Sequence, residues 1–304
     1  MEASIATTKA SCHARTNSLP SRSHPLIVNV EDQLQRLRAA SISLEATTSS
    51  TSILCQNLAG LKDLFDCVDN MLQLPLTRKA LCNEQQDHKC VEDVLDGSLR
   101  LLDMCGNTRD VFSYAKSCTQ ELESSLRRRN VREFSLANEI DKYMISRKKV
   151  NKMVRKCSSN LKDNLQIISD QELVVVTIVD ILREVESVSF RVFNSLLSFV
   201  SPYKARSKSS TGWFLVLKFI KSKRVSCKEQ ENEEEMILDS LEKLDCALYD
   251  LVWNKKGIDA MQLQKTQKGL QALESTMQEI EEGLECVFRC LIKTRVSLLN
   301  VLNH

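Results

Sequence analysis

Apolar residues recur along this chain at alternating steps of three and four for most of its length. The clearest run closes it: Leu270, Leu273, Met277, Ile280, Leu284, Val287, Leu291, Thr294, Leu298 and Val301. Such steps keep every position on one seam of an α-helix, because 3.5 residues per repeat nearly matches 3.6 per turn. The spacing predicts a final helix from Ile258 to about Asn300, roughly 65 Å long at about 1.5 Å per residue. A second stripe of Phe288, Ile292, Leu299 and Leu302 lies beside the seam. It predicts that the end of this helix is sandwiched by others and that the helix is central to the fold.

The same period organises the rest. Pro25 suits a first helical turn, and Val30, Leu34, Leu37 and Leu44 follow it at helical spacing. After the polar link EATTSSTS, Leu54, Leu58, Leu61, Phe65, Val68 and Leu72 predict a second helix that Pro75 stops. A short helix is expected from 76 to about 86. Val91, Val94, Leu95, Leu99 and Leu102 begin another, with a break or kink expected at Gly106 and Asn107 before Val111, Ala115, Cys118 and Leu122. Leu136, Ile140, Tyr143, Val150, Val154, Cys157, Leu161 and Ile168 form the next seam. It is interrupted at Arg147 and Asn164, where polar residues can set register. Between Gln171 and Val200 the chain is most apolar. Its opening VVVTIV is β-branched, yet the continuing seam predicts a buried helix, because an isolated strand is unstable. Ile237, Leu241, Leu244, Leu248 and Leu251 carry one more helix before Gly257 marks a turn.

Composition agrees with this pattern. Only 7 Gly and 4 Pro occur in 304 residues and aromatics make up 5%, which disfavours a sheet fold that needs frequent turns and aromatic or β-branched strands. The expected fold is all-α, an elongated bundle of long heptad-patterned helices. Residues 1–24 read as a disordered tail, and 25–303 as a single helical domain with a basic insertion at about 201–228. A heptad seam closes equally well within one chain or between two.

Candidate chemistry is sparse. The start of the chain has no apolar core after a basic end, so no secretory signal is expected, and no apolar run approaches the about 20 residues that cross a bilayer. A cytoplasmic protein, peripheral to membranes at most, follows. The twelve cysteines include no CxxC pair and read as small packing thiols in a reducing compartment. Cys286 and Cys290 stand four apart on one helix, but no histidine is near to complete a metal site. Glycine-rich phosphate loops are absent from the sequence, and the four histidines (His13, His24, His88, His304) are scattered. Only His88, four residues from Glu84, could serve as a base. No enzyme activity, cofactor or metal is therefore expected.

Two charged stretches stand out. Arg127 to Lys156 holds eleven Lys and Arg against Glu133, Glu139 and Asp141. With little aromatic interleaving it reads as a solvated face paired with the acidic patch after Glu229 rather than as a nucleic-acid surface. From Tyr203 to Lys228 eight Lys and Arg occur with no acid. There Trp213, Phe214, Leu217, Lys218, Ile220, Lys221, Lys223 and Arg224 mix apolar and basic character, as interfacial or calmodulin-target helices do. An anionic membrane surface is a candidate partner for this segment, and a core-packed turn is the alternative.

Several phrases resemble one known family. SLPSRSHP, LAGLKDLFDCVDNMLQLPLTRKAL, VEDVLDGSLRLLDMC, ELESSLRRR and above all EEGLECVFRCLIKTRVSLLNVLNH are similar to the plant BYPASS-related proteins, a plant domain of unknown function. The resemblance spans nearly the whole chain. It implies a helical plant protein associated with root and shoot development, and it carries no catalytic residue or cofactor to transfer. The expected function is a noncatalytic scaffold or regulator that binds protein partners; the alternative is peripheral membrane docking through 203–224.

One further motif lies in the tail, where Arg15, Ser18 and Pro20 form R-x-x-S-x-P. An arginine three before a serine suits basophilic kinases, and a proline two after it suits the groove of 14-3-3 phosphoserine readers. Phosphorylation would add about 1.5 to 2 negative charges there without touching the core.

Overall fold

A computed structural model describes residues 24–46, 51–81, 88–128, 133–169, 178–201, 241–253 and 260–302. Among the described residues there are eight helices and no strand. These are α1 (Pro25–Ala46), α2 (Thr51–Leu72), α3 (Pro75–Leu81), α4 (His88–Arg127), α5 (Glu133–Ser169), α6 (Ile178–Val200), α7 (Leu241–Trp253) and α8 (Ala260–Leu302). Their buried apolar side chains join in one cluster that runs from Val30 to Val301.

Local signals set the boundaries. His24, expected in the tail, instead caps α1: its carbonyl accepts from the Ile27 N–H at 2.8 Å and its Nδ1 from the Leu26 N–H at 3.2 Å. Pro75 both ends α2 and opens α3, because a proline at the first helical position lacks only an N–H that would be orphaned anyway. The break expected at Gly106 does not occur. Helix α4 runs unbroken past it for 40 residues, since one glycine costs a helix only about 1 kcal/mol and the flanking seams are buried.

Three registers define the bundle. Helices α2 and α8 run parallel, with Cys55 against Glu279, Asp66 against Cys290 and Gln73 against Ser297, each pair 224 residues apart. Helix α4 runs antiparallel to α8, pairing Gln120 with Glu274 at one end and Ser98 with Arg295 at the other. On its other sides α4 forms an antiparallel hairpin with α5, through Ser125 and Glu139, and lies parallel to α6, where Phe112 and Phe199 stack at 6.5 Å.

All ten positions of the final seam are buried. Yet α8 is not the most enclosed helix. That place belongs to α6, which touches α1 through α5 and buries fourteen of its 23 residues, including Phe190 and Phe193. The second stripe on α8 also departs from expectation. Phe288 and Leu302 are only partly covered, while Ile292 and Leu299 are exposed, because α8 lies between α2 and α4 with no helix of the described residues over that outer edge.

Candidate functional site

Burying a charge is costly unless it is paired and hydrogen-bonded, so buried charges and exposed apolar side chains are where such a fold shows something beyond packing. Arg147, read from the sequence as an interruption of the α5 seam, is the first case. It is 5% exposed, and its partner Asp245 on α7 is 6% exposed. Arg147 Nε donates to both carboxylate oxygens at 3.2 and 3.1 Å, and Nη1 donates to the Val200 carbonyl at 3.1 Å. One guanidinium thus holds the last residue of α6 and the second turn of α7, the helices that flank residues 202–240. Tyr143 is buried beside the pair. Burial, with the Asp245 carboxylate adding to it, pushes its phenol well above the usual value. Elsewhere in the basic stretch Lys148, Lys152, Arg155 and Lys156 are exposed, and Lys149 lies 4.3 Å from the Tyr114 ring centroid; Arg129, Arg132 and residues 229–240 of the acidic patch lie outside the described residues.

A second polar group lies where α2, α4, α6 and α8 meet. Arg100 donates to Glu186 at 2.9 Å, and Gly97 leaves the room for that carboxylate, which would sit 2.6 Å from a Cβ there. Burial raises the Glu186 carboxyl above its ordinary value, with Arg100 opposing. The adjoining cavity measures about 30 Å³ and is also lined by Phe65, Ser98 and Thr294, whose hydroxyl is unpartnered. That is room for a water or two at about 10–15 Å³ each, far below the roughly 300 Å³ of a metabolite pocket.

The third feature is on the surface, along the outer edge of the α4–α8 pair. Over its first half the edge is closed by polar contacts: Gln120 with Glu274 at 2.7 Å, Lys116 with Gln278 at 2.7 Å and with Glu281, and Arg109 with Glu285 at 2.6 Å. Arg109 also lies 5.1 Å from the Phe288 ring centroid, which covers the first residue of the second stripe. Beyond that point the edge becomes apolar. Leu99 on α4 and Ile292, Val296 and Leu299 on α8 are exposed by 45, 45, 50 and 37%. Arg295 locks the two helices together beneath them, donating to the Leu95 carbonyl and to Ser98 Oγ, both at 2.6 Å. The register puts Leu99 level with Arg295, so the four side chains form a stripe about two turns long, with Leu99 and Val296 near its middle. Their flanks differ in sign: Glu92, Asp96 and Asp103 are exposed on α4, Arg289 and Lys293 on α8.

The family described as Protein BPS1 matches residues 57–301, from the second turn of α2 to the end of α8. The chain belongs to that family. The match takes in all three features of this BYPASS-related chain, and no curated protein and no solved structure matches it.

Few of the residues singled out from the sequence fall on this geometry. Arg15, Ser18 and Pro20 lie outside the described residues, as do Trp213, Phe214, Leu217, Lys218, Ile220, Lys221, Lys223 and Arg224. The eight cysteines whose side chains are described are all free thiols; burial pushes Cys105 up to about 12, and its Sγ lies 3.5 Å from the Leu284 carbonyl. Among the described residues no group of three or more His, Cys, Asp or Glu could hold a metal, and no helix is long and apolar enough to cross a membrane. The exposed stripe was half legible. Ile292 and Leu299 stood out as a second stripe, but their lack of a covering helix is a tertiary fact, and Leu99 was hidden in the seam of another helix.

Proposed function

We propose that this protein is a noncatalytic helical scaffold or regulator in plant development, acting through protein contacts made by the outer face of α4 and α8. The observation that carries this reading is the exposed apolar stripe of Leu99, Ile292, Val296 and Leu299 on a rigidly locked helix pair. Its fit to binding is physical: apolar side chains held on a rigid element lose little entropy when covered. Family membership supports the developmental setting. Proximity labelling in plant tissue, comparing the native chain with Val296→Glu, tests it. The labelled set should lose members in the variant, and identical sets would sink the reading.

A second reading, docking to anionic membrane through 203–224, rests on the eight Lys and Arg without an acid between Tyr203 and Lys228. Full-length protein should then co-sediment with anionic vesicles at low salt and leave them as salt rises; failure to sediment eliminates it. Phosphorylated Ser18 is a separate handle for a 14-3-3 partner. Equal recovery of native and Ser18→Ala protein after kinase treatment would remove it.

A further inference from the structure

The stripe on α4 and α8 has the properties of a self-complementary face. We propose that it pairs with the same face of a second copy of this chain, about a two-fold axis parallel to the helices. This rests on the reading of the α4–α8 face as a binding surface and names its occupant. A closed dimer uses one patch twice, so the patch must match its own image after rotation. The apolar centre does so in any orientation. The rims do not, because α4 contributes acids (Glu92, Asp96, Asp103) and α8 contributes bases (Arg289, Lys293).

That asymmetry selects the axis. Rotation about an axis across the helices would lay acid on acid and base on base. Rotation about an axis along them lays the α4 rim of one copy on the α8 rim of the other, acid on base. The register makes the pairing specific. With Gln120 opposite Glu274 and Arg109 opposite Glu285, Asp103 lies level with Leu291, between Arg289 and Lys293. Asp103 of one copy therefore meets those two cations of the other, and the contact occurs twice. Both cations have internal partners, Glu285 and Asp69, yet their side chains remain 74 and 60% exposed with donors to spare. A stable dimer buries roughly 800 Å² per partner, more than the stripe alone provides, so the rims must take part and their signs matter.

Sedimentation velocity over a concentration series, on the full chain, tests the proposal. The native protein should be a dimer that dissociates on dilution, and Val296→Glu should be a monomer with unchanged circular dichroism. Asp103→Lys and Arg289→Glu should each weaken self-association about two- to thirtyfold, since each reversal acts twice across the axis. Mixed together, these two variants should form a heterodimer tighter than either variant forms with itself, because one of the two symmetric contacts is then native and the other sets the new lysine against the new glutamate. A monomeric native protein at all concentrations overturns self-association, and so does a dimer indifferent to Val296→Glu. A mixture that does not recover overturns the axis. If the native chain is monomeric but the labelled set in tissue still changes with Val296→Glu, the binding face stands and only its occupant is wrong.

Discussion

The Arg147 node and the α4–α8 stripe are opposite departures from a plain bundle, one with charge inside and the other with apolar side chains outside. What separates them is whether the chain supplies the partner. Arg147 finds Asp245 and the Val200 carbonyl within the fold, and its hydrogen bonds close there. The stripe finds no cover among the described helices, although the helices beneath it are locked by Arg295. A buried charge with its partners present is a structural device. An apolar surface on a rigid support is the feature on which the proposed pairing rests.

Breaking the node should have the largest effect. Arg147→Ala leaves Asp245 buried without a counterion and should cost about 3–5 kcal/mol, whereas replacing both residues by apolar ones of similar volume should recover most of it. Urea unfolding of the single and double variants measures this. If the single change costs no more than an exposed ion pair, the node is not buried as described.

The seam beneath the stripe should come next. Leu291→Ala, under the apolar half of the edge, and Leu284→Ala, at the polar half, should each cost about 2–5 kcal/mol, because both side chains are fully enclosed. A small effect at Leu291 alone would show that the bundle is loose where the stripe lies. On the edge itself the changes should be slight: Lys116→Ala within about 1 kcal/mol, and Ile292→Ser or Val296→Ser within about 0.5 kcal/mol in dilute protein. Large losses from the serine variants would mean that the stripe is core after all.

The smallest effect should be that of pH on the polar half. Hydrogen bonds from Arg109 and then Arg289 hold the Glu285 carboxyl below its ordinary value. The folded state therefore binds this proton less readily than the unfolded chain. Its contribution is complete above the usual carboxylate range and is lost as pH falls through the depressed folded value. Amide protection in α8 around Glu285, taken relative to the intrinsic exchange rate at each pH, should fall over that acid window in the native chain and less so in Glu285→Gln. Identical profiles would show that the pairing with Arg109 contributes nothing.

Helix placement was legible because burial on one face imposes a period that any window of the chain displays. The α8 seam, the α2 stripe and the α5 seam with its gap at Arg147 could all be read this way. Gly106 misled because a glycine's local cost of about 1 kcal/mol was weighed without the tertiary burial on both sides that overrides it. His24 was assigned to the tail because capping by a histidine ring has no common sequence signature.

The sequence by itself determined which residues seek a core and that they do so on helices, since periodicity is a local property of the chain. It did not determine who covers whom. That α6 is the enclosed helix, that α2 and α8 run parallel, and that Arg147 meets Asp245 across 98 residues are decisions of the assembled bundle. The reason is physical. A heptad states only that one face is apolar, whereas contact order and exposure depend on how all such faces are shared out among neighbours. Leu291 and Ile292 are equally hydrophobic and adjacent in the chain; only the packing of α8 between α2 and α4 buries the first and leaves the second in solvent.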